Sequence, residues 1–181
     1  MRSDPFRIAL AGGSTPRRVY ERLAELDLGW GAWHVWWGDE RLVPPDHPDS
    51  NERMAREALL GRVAVPEAQI HPLRSPDVGL PDRFDLVLLG IGADGHTASL
   101  FPGDPALEVT DHPVVRVERP DHPRLTLTFP VIDAARAAAF LVAGAEKREI
   151  LARILGGDRT LPAARVQAEE TWVLADEAAA V

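Results

Sequence analysis

The sequence predicts an α/β fold, a mostly parallel sheet with helices on both faces, formed by residues 1–181 as a single domain. Three observations predict it. Short runs such as Asp85–Leu89 and Ala139–Val142 are almost continuously apolar, as strands covered on both faces are in parallel sheets. Stretches with helical spacing lie between them, as parallel strands need crossover connections. Glycine-rich or polar segments repeatedly follow the carboxyl ends of the runs, where open α/β sheets bind ligands.

The elements follow in order. Phe6 to Leu10 is a strand ending at Gly12-Gly13. Thr15-Pro16 reads as a helix start, a capping hydroxyl followed by proline in the first turn. Val19, Leu23 and Leu26 continue that helix. Val35 to Trp37 is a second strand, leading into a charged turn, Asp39-Glu40-Arg41, and a proline-rich loop from Pro44 to Pro48. Asp49 with Glu52 looks like a capping box for a helix reaching about Leu60. Strands are expected at Asp85–Leu89, Val114–Val117, Leu125–Phe129, Ala139–Val142 and Trp172–Leu174. Pro130–Ala137 reads as helical, as does a segment from Glu146 with Ile150, Leu151, Ile154 and Leu155 on its apolar face.

Composition narrows the chemistry. A net charge of −8 argues against general nucleic-acid binding, so an anionic ligand needs a local cluster of positive groups. No apolar run approaches a membrane span and no signal peptide opens the chain. Cysteine is absent, which fits a reducing cytoplasm and excludes thiolate metal sites. His47, His71, His112 and His122 each precede proline, and no HxxxH or similar spacing points to a metal. Of the twenty basic residues, Lys147 alone is lysine, which suggests a place where an ammonium is needed.

Three segments carry the chemistry. Gly12-Gly13-Ser14-Thr15-Pro16 lies between a strand and a helix start. Glycines let the backbone approach a ligand, and a helix N-terminus offers free N–H groups to a phosphate. It is neither a Walker loop nor a dinucleotide fingerprint. Arg41 offers a bidentate contact for a phosphate. In Gly90-Ile91-Gly92-Ala93-Asp94-Gly95-His96, the glycines permit a turn that presents His96 as a general base, with Asp94 near enough to orient it.

Ala11–Pro16, Trp37–Pro44, Gly90–Gly103 and Gly144–Lys147, taken together with their order and intervals, resemble the 6-phosphogluconolactonase family across nearly the whole chain. The resemblance implies a Rossmann-like fold. It also implies hydrolysis of 6-phospho-D-glucono-1,5-lactone to 6-phospho-D-gluconate in the oxidative pentose phosphate pathway, with neither metal nor cofactor. Carried onto this chain, His96 activates water, Asp94 supports it, and Arg41 and Lys147 hold the phosphate. Gly12, Gly13, Ser14, Thr15, Asp39 and Gly95 surround the ligand. The implied partner is a small phosphorylated sugar lactone, bound by a cytoplasmic monomer or homodimer without nucleic acid or membrane. Family members usually carry several dozen residues before the Gly-Gly-Ser-Thr-Pro motif. The fold is therefore expected to be N-terminally shortened, with a sheet edge or apolar face that a dimer would cover.

Two alternatives stand beside this reading. A glucosamine-6-phosphate deaminase-like isomerase shares the fold and the Asp-Gly-His loop, but usually continues towards Ile-Ala-Phe-Asn-Glu-Pro-Gly and carries tyrosine after Asp-Glu. Here the loop continues Thr97-Ala98-Ser99-Leu100-Phe101-Pro102-Gly103, and Arg41 follows Glu40. A sugar-phosphate-binding module without catalysis is the other.

Overall fold

A computed structural model describes residues 4–181. Its larger sheet contains β1 (Phe6–Leu10), β2 (Trp33–Trp37), β4 (Leu86–Leu89), β7 (Ala137–Val142) and β8 (Glu170–Ala175), in spatial order β2-β1-β4-β7-β8. All four pairings are parallel. All six residues of β7 are buried, so both faces of the sheet are covered at its centre. This explains the unbroken apolar run Ala137–Val142, since no position along it faces water. At the sheet edge, Trp172 and Leu174 of β8 remain exposed.

The strand order reverses beside β1: β2 lies on one side of it and β4 on the other. Chains leaving β1 and β4 diverge there and open a crevice at the carboxyl ends of the strands. Gly12-Gly13 follows β1 and Gly90 follows β4, so both glycine-rich segments border the crevice.

A second, antiparallel sheet went unanticipated. It joins β3 (Asp39–Arg41), β6 (Arg124–Leu127) and β5 (Val114–Val117) in the order β3-β6-β5. The charged turn expected at Asp39-Glu40-Arg41 is thus a strand. Gly38 joins the two sheets: its N–H donates to Leu10 O at 2.9 Å, and its carbonyl accepts from Leu127 N at 2.8 Å. Core residues of both sheets belong to one contiguous buried cluster.

The helices depart from expectation mainly at their ends. Helix α1 (Ser14–Leu23) starts one residue before Thr15, with Gly13 in the cap position at φ 106°, a backbone conformation that suits glycine. Helix α2 (Asn51–Ala55) continues as a π-helical turn, Arg56–Leu60. Its cap is Ser50, whose side chain accepts from Arg53 N, not the expected Asp49. Helix α3 (Phe129–Asp133) is shorter than the predicted Pro130–Ala137, because the chain must re-enter the sheet at Ala137. Phe129 opens that helix, so the preceding strand ends at Leu127. Helix α4 (Arg148–Leu155) follows a 3-10 turn, Ala145–Lys147, and buries Ile150, Leu151 and Ile154, while Leu155 is exposed. No helix among the described residues is long and apolar enough to cross a membrane.

Candidate active site

Two adjoining clefts occupy the crevice. The first, of about 190 Å³, is lined by residues including Gly12, Asp39, Arg41, Asn51, His96 and Arg124. The second, of about 150 Å³, lies against Ser14, Thr15 and Lys147. Gly12, Gly13, Gly90 and Ile91 form the shared wall.

His96 is held by its own loop. Its Nδ1 lies 2.6 Å from Asp94 Oδ1, and its backbone N–H donates to the same oxygen at 3.1 Å. An ionised carboxylate only accepts, so Nδ1 carries the proton and Nε2 is the basic nitrogen. Burial pushes the Asp94 carboxyl up, but the hydrogen bonds from His96 outweigh it and hold the group below its ordinary value. The Phe101 ring, 4.4 Å from the imidazole, closes one side. Around the turn, Gly92 N donates to His96 O, and Gly95, at φ 80°, donates its N–H to Gly92 O.

Gly92 provides the space for this ring. A Cβ there would lie 2.0 Å from His96 Nδ1 and 2.7 Å from Asp94 Oδ1. The imidazole is partly exposed, so Gly92→Ala is expected to displace it towards solvent and lower kcat by about a hundredfold while changing the melting temperature little. Steady-state kinetics and a thermal melt on the same preparation check this. Wild-type kcat in the variant would show that the ring position is unimportant.

The rest of the loop locks onto the small sheet. Thr97 and Ser99 are fully buried. Thr97 Oγ1 donates to Gly90 O at 2.9 Å, and Ser99 Oγ donates to Asp39 Oδ2 at 2.6 Å. Between them Ala98 takes φ 47°, a left-handed conformation that costs a non-glycine residue about 1 kcal/mol. The two hydrogen bonds between Thr97 and Leu100 close the turn that imposes it. Ser99 therefore pins the histidine loop to β3 through Asp39, and Thr97 ties it to Gly90 at the exit of β4.

Asp39 also accepts from Asn51 Nδ2, through its backbone carbonyl at 2.9 Å and its side chain at 3.4 Å. Asn51 occupies the place where a Cβ on Gly12 would fall, 2.0 Å from its Oδ1. Glycine at position 12 thus lets α2 reach the cleft. Below it, Tyr20 Oη accepts from Ala11 N and donates to Ala11 O, both at 2.9 Å, which fixes the exit from β1. Burial pushes the Tyr20 phenol far up, so it stays neutral.

Glu40 points away from this cleft and organises α2. Its Oε1 accepts from Arg41 N and Asn51 N, and its Oε2 from Glu52 N and Ser50 Oγ, at 2.7 to 3.2 Å. The carboxylate thereby satisfies N–H groups of the first turn of α2 from a neighbouring strand. Burial pushes its pKa up, against the pull of those three backbone donors.

Arg41 and Arg124 are direct cross-strand partners in the β3–β6 pairing. Like charges placed opposite each other are unfavourable, and each has a buried Nε with no hydrogen-bond partner among the described residues. One terminal nitrogen of each is engaged: Arg41 Nη1 donates to Asp49 O at 2.7 Å, and Arg124 Nη2 donates to Asp121 Oδ2 at 2.6 Å. Two fixed guanidinium groups with spare donors thus line the cleft that contains His96, an arrangement suited to negative charge.

Of the residues singled out from the sequence, Gly12, Gly13, Asp39, Arg41 and His96 line the first cleft, and Gly12, Gly13, Ser14, Thr15 and Lys147 line the second. Asp94 and Gly95 lie behind His96 in its turn. Arg41 and Lys147 are separated, one in each cleft. Lys147 Nζ donates to Ile91 O at 2.8 Å, tethering the shared wall. Asn51, Ser99 and Arg124 were missed. Asn51 lies among polar residues and Arg124 at the edge of an apolar run, contexts that many solvent-facing positions share, and Ser99 carries no signal of its own within the histidine loop.

The family model described as glucosamine-6-phosphate isomerases/6-phosphogluconolactonase matches residues 1–174. A Synechocystis protein named 6-phosphogluconolactonase is 44% identical over 197 residues, covering 94% of this chain and 82% of the relative. One of the same name from Nostoc is 44% identical over 195 residues, covering 93% and 81%. The crystal structure of 6-phosphogluconolactonase from Thermotoga maritima superposes with a TM-score of 0.84 at 36% identity, covering 97% of this chain and 87% of that one. The chain belongs to the glucosamine-6-phosphate isomerase/6-phosphogluconolactonase family.

Proposed function

We propose that this chain hydrolyses 6-phospho-D-glucono-1,5-lactone to 6-phospho-D-gluconate, with His96 as general base. The observation that carries the mechanism is the 2.6 Å contact between His96 Nδ1 and Asp94, beside two arginines with unused donors. Nε2 takes a proton from water as the water oxygen bonds to the lactone carbonyl carbon. The carbonyl oxygen becomes an oxyanion. As the tetrahedral intermediate collapses, the bond from that carbon to the ring oxygen breaks, and the imidazolium returns its proton to the departing oxygen. Asp94 holds the tautomer and stabilises the transient imidazolium, as the carboxylate of a hydrolytic triad does.

The two clefts suggest a division of labour. His96 shares its cleft with Arg41 and Arg124, so the reacting carbon belongs there and the arginines face the developing oxyanion. Lys147, the hydroxyls of Ser14 and Thr15, and the N-terminus of α1 surround the other cleft, which suits the phosphate. This moves Arg41 from the phosphate, where the family resemblance puts it, to the reacting end. Asp39, held by Ser99 and Asn51, is placed to orient sugar hydroxyls. The arginine that follows Asp39-Glu40 and the buried Thr97 and Ser99 favour lactone hydrolysis over deamination.

Steady-state kinetics separates the two clefts. Lys147→Ala is expected to raise KM for the phosphorylated lactone about 10- to 100-fold, and to leave hydrolysis of unphosphorylated glucono-1,5-lactone unchanged. Arg41→Ala and Arg124→Ala are expected to lower kcat, by about 10²–10³ for a lost oxyanion donor. A rise in KM with unchanged kcat in both arginine variants would place the phosphate between them instead.

A further inference from the structure

The histidines dismissed from the sequence for want of metal-ligand spacing include two that the fold brings together. His47 and Asp49 lie in the loop before α2, and His122 lies 73 residues beyond Asp49 in the turn before β6. His122 Nε2 is 3.0 Å from Asp49 Oδ2, His47 Nδ1 is 3.8 Å from the same oxygen, and all three atoms lie within 4.8 Å of one another. This is the sole such trio of metal-ligating side chains among the described residues. None of the three lines the cleft that holds His96.

We propose that His47 Nδ1, Asp49 Oδ2 and His122 Nε2 form a binding site for a divalent transition-metal ion of the zinc class. Tetrahedral zinc with bonds of about 2.0–2.1 Å separates its ligand atoms by about 3.3 Å; two of the three separations, 3.0 and 3.8 Å, bracket that value, and the third is within 4.8 Å. Two imidazoles and one carboxylate are a borderline donor set that suits zinc, cobalt or nickel better than magnesium or calcium. Three protein ligands leave a fourth position for water. In the metal-free state the His122 proton bridges Nε2 to Asp49, and the Asp49 N–H caps His47 Nδ1 at 3.1 Å. Metal binding at Nε2 goes with a shift of the His122 ring to the tautomer protonated at Nδ1, and the His47 ring turns its lone pair from the amide to the ion.

The site is braced before any metal arrives. Arg41 Nη1 holds the Asp49 carbonyl at 2.7 Å, and Leu42 N donates to Pro123 O at 2.8 Å, so both loops are fastened to the β3–β6 strand pair. A bound ion therefore cross-links the two loops that flank Arg41 and fixes the rim of the cleft. Its effect is on order and stability there, not on bond making at His96.

Titration of chelator-treated full-length protein with Co²⁺, followed by its visible ligand-field bands and by competition with Zn²⁺, tests the site. One equivalent is expected to bind, and Zn²⁺ at about a hundredfold excess over its Kd is expected to raise the melting temperature by about 5–10 °C. His47→Ala and His122→Ala are each expected to weaken binding at least tenfold and to cut the thermal shift by about half or more, since loss of even an outer contact to a metal site costs that much. His96→Ala is expected to bind as the wild type does. Melts of each variant in chelator confirm that it is folded. Absence of saturable binding, binding unaffected by both loop substitutions, or binding lost in His96→Ala would overturn the proposal.

Discussion

His96→Ala is expected to lower kcat for lactone hydrolysis by about 10²–10⁴-fold, the usual contribution of a positioned general base. Its effect on KM is expected to be small, because Lys147 and the start of α1 remain to hold the phosphate. The imidazole is partly exposed and its loop is fixed by Thr97 and Ser99, so the fold does not depend on the ring. A thermal melt within a few degrees of wild type accompanies the kinetic loss if the residue acts in chemistry. A large fall in both properties would instead assign His96 to structure. Asp94→Asn is a weaker version of the same test, since the amide can still contact the ring but cannot stabilise an imidazolium as a carboxylate does.

Glu40→Gln is expected to destabilise the chain by about 2–3 kcal/mol, lowering the melting temperature by about 4–12 °C. Each carboxylate oxygen accepts two hydrogen bonds, and at least one of each pair comes from a backbone N–H. Either orientation of the amide therefore sets an NH₂ donor against an N–H donor in a buried site. The helix N-terminus also loses the negative charge that complements its dipole. Glu57→Gln is the control: its carboxylate is an exposed partner of Arg53 and Arg17, and such pairs contribute little. Equal melting temperatures for the two variants would contradict the role given to Glu40. Because Asn51 begins the helix that Glu40 caps, a loss of activity larger than the loss of folded protein is also expected.

Both predictions concern residues that the sequence made legible to different degrees. The parallel sheet was readable because its central strands are buried on both faces and leave long apolar runs. The histidine turn was readable because glycine spacing and a directly adjacent Asp94 are local features. The antiparallel sheet was not. Asp39-Glu40-Arg41 is a strand of three polar residues, and its stabilising hydrogen bonds come from Arg124–Thr126, more than eighty residues away. Neither periodicity nor propensity acts over that distance.

The same physics hid half of the candidate site. Arg124 gains meaning only through its register opposite Arg41, and Ser99 only through its contact with Asp39. Glu40 looked like one charge in a solvated turn, although it caps a helix that starts eleven residues later. Asp49 looked like that cap, but Ser50 supplies the side-chain oxygen and leaves Asp49 free to meet His122. Lys147, by contrast, stood out by composition alone, yet its separation from Arg41 became visible only in three dimensions.

The most direct measurement is the rate at which purified protein hydrolyses freshly generated 6-phospho-D-glucono-1,5-lactone, with the spontaneous rate subtracted. Ammonia release from glucosamine 6-phosphate is followed in parallel. The account predicts lactone turnover by the wild type that falls by at least a hundredfold in His96→Ala, and no ammonia. Ammonia release without lactone hydrolysis, or near-wild-type lactone turnover in His96→Ala, would contradict it.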